Sequence, residues 1–132
     1  MPNREDMGKL LLRVTLAVIV VFHGVFKLTH GVEWMERPLA AFGLPGFLAY
    51  GTYVAEVIAP LLLLLGYRAR LAALVILFDL LMAIVLVLRS RIFTLTGGGG
   101  WGIELEAMIV LVSLSVFCLG SGRYRLGSGR WD

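Results

Sequence analysis

The sequence predicts an all-α fold: a transmembrane four-helix bundle, up-down, with both termini cytoplasmic. Four apolar stretches, 10–28, 47–65, 71–88 and 102–119, each approach the ~20 residues that cross a bilayer as helix. The hydrophobic share is 59%, above the ~45–50% typical of soluble domains, and the mean hydropathy is +0.89. The basic residues cluster at the ends of the stretches and in the tail, where they set topology. At 132 residues the chain reads as a single membrane domain.

Span one (10–28) follows the segment MPNREDMGK directly. It is too long for a signal-peptide core and has no small-residue cleavage site after it, so it is expected to remain as an anchor. Its ionisable groups are Arg13, read as snorkelling to the inner interface, and His23 with Lys27, four apart and on one helical face.

Loop one (29–46) mixes His30, Glu33, Trp34, Met35, Phe42 and Leu44, a pattern for a short interfacial helix with Trp34 at headgroup depth. Gly43 and Pro45-Gly46 are expected to end it and start span two. Span two (47–65) carries Glu56 at its centre and Pro60 four residues on. Proline cannot donate to the carbonyl four residues back, so the Glu56 carbonyl is left free beside the Glu56 carboxylate. Such backbone at membrane depth lines a polar cavity or finds another partner; a kink needed only for packing is the alternative.

Loop two is only Gly66 to Arg70 and forces spans two and three into an antiparallel hairpin. Span three (71–88) has Asp79 at its centre, expected to hydrogen-bond across to Ser113 or Ser115. Loop three contains Gly97 to Gly100 followed by Trp101. Without the spacing and lysine of a phosphate loop this run reads as a cap or turn. Span four (102–119) brings Glu104 and Glu106, about 200° apart on a helix, so only one faces a cavity squarely. Cys118 is the single cysteine, so no disulfide within the chain is possible, and it reads as a small apolar filler.

Arg4, Lys9, Arg13, Arg68, Arg70, Arg123, Arg125 and Arg130 fall on one side, and Lys27, Arg37, Arg89 and Arg91 on the other. This bias places both termini and loop two in the cytoplasm of a multi-pass protein of the inner (cytoplasmic) membrane. It accounts for the pI near 9.4 and argues against a nucleic-acid partner, because no groove or helix face collects the charge. The expected partner is the lipid bilayer, with its anionic headgroups.

Ionisable groups within hydrocarbon are costly and mark functional sites. Counting along the helices places Glu56 and Asp79 at mid-depth, and His23 about 6 Å and Lys27 about 12 Å beyond the centre of span one, outward. Arg13 aside, every charge lies in the central plane or the outer half, which points to one shared cavity opening outward. Lys27 is expected to pair with Glu104, and His23 to reach Glu56 or Glu106, an imidazole beside a carboxylate being suited to moving protons. The acid/base candidates are therefore His23, Glu56 and Glu106; Lys27, Glu104, Asp79 and Trp101 are the substrate-facing ones. An ion-pair network that only fixes helix register is the alternative. His30 reads as a solvated edge residue. A b-type haem held by His23 and His30 of one chain is not expected, since ligands about 10 Å apart on one helix cannot clamp one iron from opposite sides. No metal site is expected.

His23-Gly24-Val25-Phe26-Lys27, Phe42-Gly43-Leu44-Pro45, Glu56, and the run Leu65 to Ala73 resemble the DoxX family. So do Gly97 to Trp101 with the nearby acids, and the closing Gly120-Ser121-Gly122-Arg123-Tyr124-Arg125-Leu126. Arg125-Leu126-Gly127 departs from the serine and aspartate that flank this leucine in many relatives. The resemblance implies a membrane subunit of a redox system, as DoxD-type proteins are of thiosulfate:quinone oxidoreductase. On that reading a bound quinone sits in the bundle with no intrinsic cofactor, a homo-oligomer or an oxidoreductase subunit is the partner, and Lys27, His30 and Arg37 form an outer anion site. The alternatives are a non-catalytic scaffold or small-molecule carrier, and a proton-coupled permease that needs a dimer.

Overall fold

The structure, a computed structural model, describes residues 3–123, 125, 126, 129 and 132. Tyr124 and Gly127 of the closing motif and Arg130 of the charge count lie outside the described residues. The fold is all-helical, and among the described residues no β-strand forms beyond an isolated bridge between Leu95 and Trp101.

Helix α1 runs Arg4–His30, six residues further toward the N-terminus than hydropathy alone placed it. A reciprocal cap carries it there: the Asn3 side chain accepts from the Asp6 amide at 3.0 Å and the Asp6 carboxylate accepts from the Asn3 amide at 3.2 Å. Gly31, at φ +79°, ends it and donates to the Lys27 carbonyl at 2.7 Å. Loop one forms a 3-10 turn, Glu33–Met35, and the short helix α2, Glu36–Ala41. Leu39 and Val32 pack with Ala49 into a small apolar cluster that closes this end of the molecule.

Helix α3, Gly46–Leu65, is a composite: a 3-10 turn, one α-turn, a π-helical turn at Val54–Ile58, then α-helix Ala59–Leu65. Gly66, at φ +70°, and Arg68, at φ +51°, reverse the chain into α4, Ala69–Leu86. After loop three comes α5, Glu104–Leu119. It begins two residues later than the apolar stretch because Gly102 and Ile103 belong to the turn before it. Gly102 donates to the Thr94 carbonyl at 2.8 Å, and a side chain there would strike Thr94 and the Arg91 carbonyl.

Helices α1, α3 and α4 are long and apolar enough to cross a membrane. The 16-residue α5 rises about 24 Å. Helix α1 packs on α3 and α5, and α4 packs on the same two. The shared core is built largely from Leu16, Val20, Leu63, Ile76 and Ile109, with Ala17, Ala59, Ala72 and Ala73 allowing close approach. Large apolar side chains such as Leu11, Phe22, Phe78, Met108 and Leu111 point outward, as a membrane-embedded surface requires.

Arg13 corrects the sequence reading. It does not snorkel: it is fully buried, and its Nη1 donates to the Leu63 carbonyl at 2.6 Å, satisfying an acceptor in the last turn of α3. Beyond α5 the chain folds back against the start of α1 and the α3–α4 turn. Leu126 donates to the Leu65 carbonyl at 3.0 Å, Arg123 to the Asp6 carboxylate at 3.2 Å, and the Arg68 amide to the Asp132 carboxylate.

Candidate functional site

The π-helical turn of α3 lies where Pro60 withholds its hydrogen-bond donor. The Ala59 amide reaches back to Val54, one residue further than in an α-helix, and the widened turn leaves the Glu56 side chain buried at 4% exposure. The Glu56 carbonyl faces α1 at Gly24, where any β-carbon would collide with it. Only glycine there lets the two backbones approach this closely, which brings Lys27, one turn further along α1, onto α3.

Lys27 Nζ forms an ion pair with Glu56 Oε2. It also donates to Thr52 Oγ1 at 3.2 Å. The Thr52 hydroxyl, four residues before Glu56, lies 2.7 Å from Glu56 Oε2 and 3.1 Å from Asp79 Oδ1 on α4. The Tyr53 hydroxyl donates to the Lys27 carbonyl at 3.2 Å, fixing the two helices at the same level. Three helices thus contribute to one polar chain, Lys27–Glu56–Thr52–Asp79, buried at Thr52 and Glu56 and half-buried at its two ends.

This chain borders two apolar cavities, which share Met35, Ala83 and Val87 in their walls. The first, about 230 Å³, lies among α1, α4 and α5 and is lined by His23, Lys27, Glu56 and Glu106 together with Val20, Phe26, Trp34, Leu80 and Ile109. The second, about 170 Å³, lies between α3 and α4 and is lined by Thr52 and Asp79 with Leu39, Leu48, Phe78 and Met82. Among the described residues no group of three or more His, Cys, Asp or Glu is placed to hold a metal ion.

Several expectations change. Lys27 pairs with Glu56 and not with Glu104, because the π-turn carries Glu56 toward α1 while Glu104 sits exposed in the first turn of α5, folded over Gly100. His23 has no hydrogen bond to Glu56, whose carboxylate is taken by Lys27 and Thr52; it is largely exposed but lines the same cavity as Glu56 and Glu106. Asp79 bonds to Thr52 and not to α5, where the Ser113 and Ser115 hydroxyls donate to the Ile109 and Leu111 carbonyls of their own helix. Trp101 stays outside both cavities and donates its indole N–H to the Ile92 carbonyl, bracing loop three. The outer anion site loses Lys27 to the interior, and His30 stacks on Phe26 at 4.1 Å.

Thr52 was missed by sequence reasoning. The available signal was the Thr52/Glu56 spacing of four, which puts hydroxyl and carboxylate on one face of a helix.

The family model described as DoxX matches residues 8–89, covering α1, α2, α3 and α4. A protein of Bacillus subtilis strain 168 named "Putative oxidoreductase CatD" is 28% identical over 116 residues, which are 88% of this chain and 81% of that protein. No solved structure matches the chain.

Proposed function

The chain belongs to the DoxX family, and from that premise we propose that it is a quinone-interacting membrane subunit of a redox system, its helices forming a transmembrane four-helix bundle with both termini cytoplasmic. The observation that carries this reading is the first cavity: an apolar chamber with a Lys27–Glu56 ion pair in its wall and His23 and Glu106 beside it. A volume of about 230 Å³ suits a single ring and is below the ~300–1,000 Å³ of sites that enclose larger ligands. The isoprenoid tail of a quinone would therefore run out between helices into lipid.

Reducing a quinone ring takes two electrons, supplied by a partner oxidoreductase subunit or donor, and two protons. The protein's part is to place the ring and the protons. Lys27 is the hydrogen-bond donor for a ring oxygen, and its ammonium favours the charge that grows there as electrons arrive. Glu56, His23 and Glu106 are the acid/base groups within reach of the chamber. The name of the Bacillus subtilis relative supports an oxidoreductase setting. The distribution of Lys and Arg supports the orientation, in the inner membrane of a bacterial cell.

A structural-carrier reading draws on one observation: Lys27, Glu56 and Thr52 together pin α1 to α3. It predicts no dependence on redox state.

Trp34 lines the chamber, which gives a direct readout. A short-chain benzoquinone titrated into the full chain in lipid nanodiscs is expected to quench tryptophan fluorescence saturably, and Trp34→Phe to remove the response. Glu56→Gln and Lys27→Gln are each expected to weaken binding about tenfold, roughly 1.4 kcal/mol. Absence of saturable quenching, or an affinity in both variants equal to that of the unsubstituted protein, rejects the quinone reading.

A further inference from the structure

We propose that Glu56, Thr52 and Asp79 hold one exchangeable proton, taken up from the second cavity and delivered into the first. Thr52 Oγ1 has one hydrogen and two lone pairs, yet it faces three partners: Lys27 Nζ at 3.2 Å, Glu56 Oε2 at 2.7 Å and Asp79 Oδ1 at 3.1 Å. Lys27 can only donate, so one lone pair is used. If both carboxylates were ionised, both would claim the single hydroxyl hydrogen and one contact would be two oxygens without a proton between them. A proton on Asp79 resolves this. Asp79 then donates to the second lone pair of Thr52, and Thr52 donates to Glu56, so every contact becomes a hydrogen bond.

Charge leads to the same place by an independent route. The groups facing this chain are His23 and Lys27 from α1, Glu56 and Thr52 from α3, Asp79 from α4 and Glu106 from α5. His23, exposed, and Glu106, half-buried, line the first cavity but make no hydrogen bond to this chain. The chain itself sets one ammonium against two carboxylates, with Thr52 and Glu56 only 3% and 4% exposed and Lys27 and Asp79 half-buried. An uncompensated charge in such a position is costly, and one bound proton removes it.

Position gives the proton a direction. Asp79 and Thr52 line the second cavity, Glu56 lines the first, and the Thr52 hydroxyl lies between them. In the transfer the Asp79 O–H bond breaks and its hydrogen bonds to Thr52 Oγ1, while the original Thr52 hydrogen passes to Glu56. The hydroxyl is regenerated, Asp79 becomes the carboxylate, Glu56 becomes the acid, and the chain stays neutral with Lys27 charged throughout. The proton's destination rests on the quinone reading; its presence does not.

Infrared spectroscopy of the full chain in lipid nanodiscs at neutral pH tests the site without any activity assay. The expected result is a protonated-carboxyl C=O band that shifts in D2O. The band is expected to vanish in Asp79→Asn and in Glu56→Gln, since either leaves one carboxylate to balance Lys27, and to grow about twofold in Lys27→Met, where two carboxylates lose their cation. Thr52→Val is expected to keep the band at a shifted frequency and to slow its hydrogen–deuterium exchange by tenfold or more. A wild-type protein without the band, or a band untouched by both amide variants, overturns the proton site even if quinone binds. Delivery into the first cavity is overturned separately: the band responds as expected to the substitutions but does not change when a bound short-chain quinone is reduced.

Discussion

The α-carbon of Gly24 lies against the backbone carbonyl of Glu56, the carbonyl that Pro60 leaves without its usual amide donor. The two features answer each other. A carbonyl deprived of its α-helical donor in the middle of an apolar helix is costly, and a glycine on the facing helix lets backbone C–H groups come close to that oxygen, the setting for a weak hydrogen bond. The same close approach makes the Lys27–Glu56 pair geometrically possible.

Gly24→Ala is therefore expected to act on stability and on the site together. The new methyl would overlap backbone, which cannot swing aside as a side chain can, so the helices must separate. Overpacking of this kind costs about 1–3 kcal/mol. Thermal unfolding in detergent is expected to show the loss, and quinone affinity measured through Trp34 is expected to fall with it because Lys27 moves away from Glu56. Gly8→Ala is the control, since the same helix has nothing within 4 Å of that position. Equal melting of the two variants would refute the packing argument.

Arg13 separates what the sequence could say from what it could not. Hydropathy located the apolar helices, loop two as a tight reversal and loop one as a short helix, because each depends on local composition and local turn chemistry. Burial of Arg13 depends on where the C-terminal end of α3 falls relative to α1, which is tertiary information. The same holds for the pairing of Lys27. The sequence correctly placed Lys27 and Glu56 among the interior charges, but a residue of extra pitch in the π-turn decided which carboxylate met the lysine. Asn3 and Asp6 are the opposite case: their cap was legible by spacing, but a hydropathy scan gives polar residues no weight.

Arg13→Met is expected to destabilise the fold by about 1–3 kcal/mol, the cost of losing a buried hydrogen bond from a charged donor to the Leu63 carbonyl, which keeps only the Gly66 amide at 3.2 Å. Arg13→Lys is expected to recover part of this, because a lysine can still donate to the Leu63 carbonyl. The loss measured by denaturation is expected to be the same at low and high salt, since the interaction is buried and weakly screened. A strongly salt-dependent loss would instead indicate an arginine held at the lipid headgroups, the position that the sequence alone suggested.

Loop three provides the test of orientation. Gly98 is exposed, has nothing within 4 Å and does not occupy the positive-φ backbone that Gly99 does at +89°, so it accepts a cysteine without strain. In a Cys118→Ser background, Gly98→Cys is expected to react with a membrane-impermeant maleimide in intact spheroplasts. Glu5→Cys, exposed in the first turn of α1, is expected to react only after the membrane is opened. On the proposed topology the two sites lie at the ends of three crossings, so they are expected to label from opposite sides whichever way the protein inserts. Labelling of Glu5→Cys in sealed spheroplasts with Gly98→Cys protected would invert the orientation, moving the mouth of the first cavity to the cytoplasmic side. Labelling of both from the same side would mean that the helices before loop three do not each cross the bilayer once.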